Sequence, residues 1–187
     1  MFIVGAMRKT AIGCLATFIL SGCAATLNSK YRPTAGAPVA MARLVADTSS
    51  TGTMGRYYNT FLSESNTCAA GTMIPLGTRL LADAHQTLPS TAIPAGQPIT
   101  IVVQYREARP GQIRACGNVA KFTPEPGHSY DIGFKVTNQG TSCSISVLDT
   151  ATGLVALEPN DACYAQTGVP NGRSLTTNFE AKVERYP

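Results

Sequence analysis

From Ser129 to Asp149 the chain alternates polar and apolar residues through two consecutive runs. In the first, Tyr130, Ile132, Phe134 and Val136 stand against Ser129, Asp131, Gly133, Lys135 and Thr137. In the second, Cys143, Ile145 and Val147 stand against Ser142, Ser144 and Ser146. A period of two places each apolar set on one face of an extended chain, which is the pattern of a half-buried antiparallel strand. The Asn138-Gln139-Gly140 link between the runs predicts a hairpin, and Asp149–Gly153 predicts a second turn into Leu154–Leu157.

The same vocabulary recurs elsewhere, less regularly. Ala40–Asp47 predicts a strand and Arg56–Leu62 a weaker one. Ile99–Arg106 predicts a third, with Ile99, Ile101, Val103 and Tyr105 on one face and Val102 making the other partly apolar. Leu175–Val183 alternates again through Phe179 and Ala181. Residues 63–96 are rich in Gly and Pro, hold Cys68, and leave room for one helical turn around Leu80–His85. Only 14% of the residues are charged, against about 25% in an average soluble domain. Thr, Ser, Gly and Pro fill the difference, and these favour strands and turns over helices. The expected fold is all-β: an antiparallel β-sandwich or a partly open barrel.

The N-terminus is of another kind. Arg8 and Lys9 precede an apolar run from Ala11 to Leu20, and small residues then lead into Cys23. Residues 11–29 carry no charge and nearly reach the length of a transmembrane helix, about 20 residues. Thr17, Ser21, Gly22, Thr26 and Asn28 dilute the second half, however. A short apolar core with a small-residue exit is the layout of a secretory signal peptide, and Met7 is its more natural start. Within that layout Leu20-Ser21-Gly22-Cys23 resembles the lipobox of bacterial lipoproteins. The resemblance implies cleavage before Cys23, a diacylglyceryl group on its thiol and an acylated amino terminus. With Ala24 rather than aspartate following, it also implies the periplasmic face of the outer membrane of a Gram-negative bacterium.

Three parts follow: a signal peptide over 1–22, a lipidated flexible tether over 23–38 and a single β-rich domain over 39–187. Removing 1–22 from 187 residues leaves 165, enough for one domain. Without Arg8 and Lys9 there are 13 basic residues against 11 acidic, and no run of like charges. Neither nucleic acid nor an anionic surface is therefore expected as a partner. The expected partners are membrane lipid, through acylated Cys23, and an envelope protein.

Cys14 leaves with the leader, and Cys23 is committed to lipid. Cys68, Cys116, Cys143 and Cys163 remain, an even set that in an exported chain predicts two disulfides among three connectivities. A zinc site would call for close pairs such as C-x-x-C, whereas the nearest two cysteines here are twenty residues apart. The core-facing position of Cys143 and the turn at Asp149–Gly153 favour Cys143–Cys163, which leaves Cys68–Cys116.

Signals of chemistry are few. There are two histidines and no tryptophan. Glu125, His128 and Asp131 form the densest ionisable set, but residues three apart on a strand face opposite sides, so His128 and Asp131 should not converge. Asp83 and His85 would share a face if extended. No G-x-S-x-G elbow and no phosphate-cradling loop occurs. Of the adjacent Tyr57 and Tyr58, one should pack inward and the other outward. No cofactor, metal or catalytic residue is expected.

Ala95-Gly96-Gln97-Pro98, then Phe122-Thr123-Pro124-Glu125-Pro126-Gly127-His128-Ser129-Tyr130, then Cys143-Ser144-Ile145-Ser146-Val147 resemble a pattern in uncharacterised Gram-negative envelope lipoproteins. The resemblance covers residues 93–149; it implies a β-rich fold and no activity. The expected function is binding or structural support in the envelope. The alternative is a periplasmic enzyme or inhibitor acting on peptidoglycan.

Overall fold

A computed structural model describes residues 26–27, 31–51, 53–64, 68, 72–80 and 82–159. Two sheets face each other across a shared core. The first orders its strands β1 (Thr26–Leu27), β4 (Ile74–Leu80), β3 (Gly55–Ser63), β7 (Ile99–Arg109) and β8 (Gln112–Phe122), all antiparallel. The second runs β11 (Gly153–Leu154), β10 (Ser142–Asp149), β9 (Ser129–Thr137) and β2 (Val39–Thr48). Its far edge is split between β6 (Thr91–Pro94), which pairs with the start of β2, and β5 (His85–Thr87), which pairs with its end. The sheets do not close into a barrel, so of the two expected architectures the sandwich is the one formed.

The alternating runs fold as their periodicity requires. Tyr130, Ile132, Phe134 and Val136 are buried on β9, and Cys143 and Val147 on β10. They meet Ile99, Ile101, Val103 and Tyr105 of β7 across the core. Tyr58 packs edge-on against Phe134, with centroids 6.2 Å apart, and tilts against Tyr105 at 5.2 Å. The hairpin between β9 and β10 passes through a short 3₁₀ turn at Asn138–Gly140. Val102, on the outer face of β7, is fully buried with Cys68 and Val119 in a second small core that Phe61 and Met73 flank. That is the physical reason for the apolar residue on the strand's second face.

Four features differ from expectation. The pairing of β2 with β9 is parallel within an otherwise antiparallel sheet. Among the described residues around Leu80–His85 no helical turn forms; β4 ends at Leu80 and β5 begins at His85. The strand β8 was not anticipated, because its inward face presents Cys116, Asn118 and Ala120, too small and polar to stand out, before Phe122 at its end. Fourth, the disulfide joins Cys116 to Cys143, with Cα atoms 5.9 Å apart. The expected Cys143–Cys163 and Cys68–Cys116 bridges are therefore both wrong. Cys116 lies on β8 of one sheet and Cys143 on β10 of the other, a juxtaposition that only the packing of the sheets creates. Cys68 is buried and also disulfide-bonded; Cys163 lies outside the described residues, as do Cys23 and Leu175–Val183. Within the segment read as a tether, Thr26–Leu27 pair with Thr78 and Arg79 of β4.

Candidate functional site

The inward alternation on β7 does not stop at Tyr105. One step further along the same face stands Glu107, and one step beyond that Arg109. Glu107 is completely enclosed. Arg109 Nε donates to its Oε1 at 2.6 Å, while Ser50 Oγ at 2.5 Å and the Tyr105 hydroxyl at 2.7 Å donate to its Oε2. Burial alone would raise the Glu107 carboxyl, but the hydrogen bonds from Ser50, Tyr105 and Arg109 outweigh it and hold it below its ordinary range. Burial, with the bond to Glu107 added, pushes the Tyr105 phenol up to about 12. Arg109 Nη2 reaches Gln139 Oε1 at 2.9 Å, and Arg114 Nη1 donates to the Gln139 carbonyl at 2.7 Å. Gly140 has φ +85°, and a Cβ there would lie 2.6 Å from Glu107 Oε1. Only glycine lets the β9–β10 turn close over this carboxylate.

The opposite end of the sandwich carries a second inward acid. On β10 the alternation Cys143, Ile145, Val147 ends on Asp149, which is buried. Its register partner on β9 is Tyr130, so the residue just before β9, His128, falls within reach. His128 Nδ1 lies 2.6 Å from Asp149 Oδ2, and Nε2 lies 3.3 Å from Glu125 Oε2. The Ala151 amide donates to Asp149 Oδ1 at 2.8 Å, and the Glu125 amide to the Tyr130 hydroxyl at 2.8 Å. Hydrogen bonding to Asp149 raises the His128 imidazole, and the same bond, with the Ala151 amide, pulls the Asp149 carboxyl down to about 2. Both ring nitrogens of His128 face carboxylates. That arrangement favours a held imidazolium over a general base, which needs a free nitrogen lone pair.

The other candidates fall as follows. His128 and Asp131 do not converge, as expected; Asp131 instead takes a two-pronged bond from Arg43 at 2.6 and 3.0 Å on the outer face. His85 pairs with Asp47 at 2.9 Å rather than with Asp83. Tyr58 is the inward tyrosine, and the Tyr57 hydroxyl accepts from Arg106 at 3.1 Å. Among the described residues no group of three His, Cys, Asp or Glu side chains is arranged to hold a metal ion, and no helix is long and apolar enough to cross a membrane. Glu107 and Asp149 were missed at the sequence level, although carrying each strand's alternation one step further would have found both.

No family model and no curated protein matches this chain. A solved structure that does match is that of a "putative cell adhesion protein" from Bacteroides eggerthii, at 12% identity and a TM-score of 0.36. The match covers 65% of this chain and 50% of that one, so the chain spans half the length of its structural neighbour. At that distance the likeness decides nothing about fold or function.

Proposed function

We propose that this chain is a lipid-anchored module of a Gram-negative envelope, held through Cys23 at the periplasmic face of the outer membrane and acting by binding or structural support. The observation that carries the proposal is Leu20-Ser21-Gly22-Cys23 placed directly after a basic and apolar leader. The inter-sheet disulfide is consistent with an oxidising compartment. In favour of binding over chemistry, the polar groups enclosed around Glu107 satisfy one another. Ser50 Oγ, the hydroxyl nearest a buried carboxylate, donates to Glu107 and accepts from Arg109 at 2.5 Å, at a position closed to solvent.

Two or three acyl chains hold a protein firmly to a bilayer and one holds it loosely, since each buried methylene contributes about 0.8 kcal/mol. Mass spectrometry of the protein taken from its native envelope should show an N-terminal residue 23 carrying acyl mass. A mature chain that starts elsewhere or lacks acyl mass would sink the proposal. The rival, an enzyme or inhibitor acting on peptidoglycan, draws on one specific observation, the short His128–Asp149 contact. Its test is complementation of a deletion strain by His128→Gln. A variant that accumulates normally yet fails to complement would turn the assignment toward chemistry.

A further inference from the structure

The sandwich is pinched along one side and open along the other. On the pinched side β8 and β10 are joined by Cys116–Cys143 and by a bond from Asn118 Nδ2 to the Cys143 carbonyl at 3.2 Å. On the open side a cavity of about 230 Å³ lies between the sheets. Its origin is visible in the residues that should fill it. Ala42 of β2 offers one methyl, and Gly77 of β4 offers no side chain opposite Thr60 of β3. The register of β4 shifts beside Thr60, and the outer edge breaks between β5 and β6 at 88–90. Leu44, Ile101 and Ile132 supply apolar wall.

One polar atom in this wall lacks an answer. Thr60 is only 5% exposed, and its Oγ1 has no hydrogen-bond partner among the described residues. It shares the inward face of β3 with Tyr58 and Leu62 and lines the cavity. A buried hydroxyl without a partner is costly unless something in the cavity completes it. Two guanidiniums stand on the rim: Arg43 already holds both oxygens of Asp131, so binding an anion there would strip that carboxylate of its partner, and Arg32 is exposed to water, which screens its charge, and donates to the Tyr31 carbonyl at 2.8 Å. A cation would find no acidic side chain among the described lining residues.

We propose that this cavity is a binding site for a small neutral molecule with a compact apolar body and one hydrogen-bonding group, which pairs with Thr60 Oγ1. A cavity of about 150 Å³ suffices for benzene, so a singly or doubly substituted ring, or a branched aliphatic alcohol of that size, fits the available space.

The test uses protein expressed from the full chain, with p-cresol, toluene and benzoate as probes in ligand-observed NMR and thermal-shift titrations. Expected is saturable p-cresol binding, about fivefold tighter than toluene, the worth of one neutral hydrogen bond. Benzoate should bind weakest. Thr60→Val should remove the preference for p-cresol while leaving toluene binding in place. Ala42→Leu should fill the space and weaken both at least tenfold; if that variant fails to fold, the Thr60→Val comparison still decides. Absence of saturable p-cresol binding to the folded protein, an unchanged preference in Thr60→Val, or tighter binding of benzoate would each overturn the proposal. The first of those outcomes would leave an ordered water as the Thr60 partner.

Discussion

Both ends of this sandwich bury an acid on the inward face near the end of a strand, yet they secure it differently. Glu107 is matched to a guanidinium that is charged at every accessible pH, and two hydroxyls complete its oxygens. Asp149 is matched to an imidazole, a group that can lose its charge as pH rises and whose proton this bond holds more tightly than usual. The first end is a permanent latch across β2, β7 and the β9–β10 turn. The second is conditional, and it lies where the Pro124–Gly127 turn meets β2 through a bond from the Gly127 amide to the Val39 carbonyl at 2.8 Å. An inward acid near a strand end thus yields either a fixed or a pH-dependent contact according to which cation stands beside it, Arg109 of the same strand or His128 of the turn before β9.

The sharpest break of this contrast is Glu107→Gln. It leaves Arg109 with a charge and no carboxylate inside the protein, and removing one partner of a buried pair costs about 3–5 kcal/mol. Urea unfolding should show that loss undiminished from pH 6 to pH 9, because a guanidinium stays charged and a glutamine side chain has no proton to exchange in that range; a loss below about 1 kcal/mol would mean the latch is wet and weak.

Next in size is the disulfide, which stands between the ends and bears on neither acid. Opening it with paired Cys116→Ser and Cys143→Ser frees a loop of sequence separation 27, worth about 3.5 kcal/mol in the chain-entropy account. The unfolding midpoint should fall by the same amount at pH 5 and pH 8. A pH-dependent fall would show that the pinched side and the His128 end are coupled.

The conditional end gives a smaller effect with a signature in pH. The raised His128 value means that its contribution is full below the unfolded value of 6.5 and is lost as pH rises through the folded value. The depressed Asp149 value means that its contribution is full above 3.8 and is lost as pH falls toward about 2. The pair therefore contributes most between about pH 4 and 6.5. Stability of the wild-type chain should decline above that window, and His128→Gln should flatten the decline. An identical pH profile for the two proteins would contradict the short His128–Asp149 contact.

Smallest of all should be Asp47→Asn, which removes the exposed partner of His85. Exposed pairs contribute about 0–1 kcal/mol, so chemical denaturation should barely move. A larger effect would place the β2–β5 edge, not the two ends, among the main supports of the fold.

How much of this was written in the residues themselves follows from the range of each interaction. The strands β2, β3, β7, β9 and β10 were legible because alternation is a local property, and one buried face forces it on each strand separately. The hairpin was legible too, since a three-residue link with Gly140 admits few geometries. From that register even the approach of Asp149 to Tyr130 and His128 could have been read. What escaped was everything set by the meeting of distant elements. The parallel neighbours β2 and β9 are separated by eighty residues, and the pattern within a strand is the same whichever neighbour it takes. The strand β8 hid behind small inward residues, chosen to fit the opposing sheet rather than to advertise a period. The Cys116–Cys143 bridge crosses between sheets, so spacing along the chain carried no information about it. Glu107 is buried because a turn about thirty residues on closes over it at Gly140, and Thr60 lies beside a cavity because the facing strand β2 brings only the methyl group of Ala42 and the neighbouring strand β4 only the hydrogen of Gly77. Sequence alone determined which face of each strand must leave water, because that preference is paid residue by residue; the tertiary structure decided which faces meet, because that depends on shapes no single segment contains.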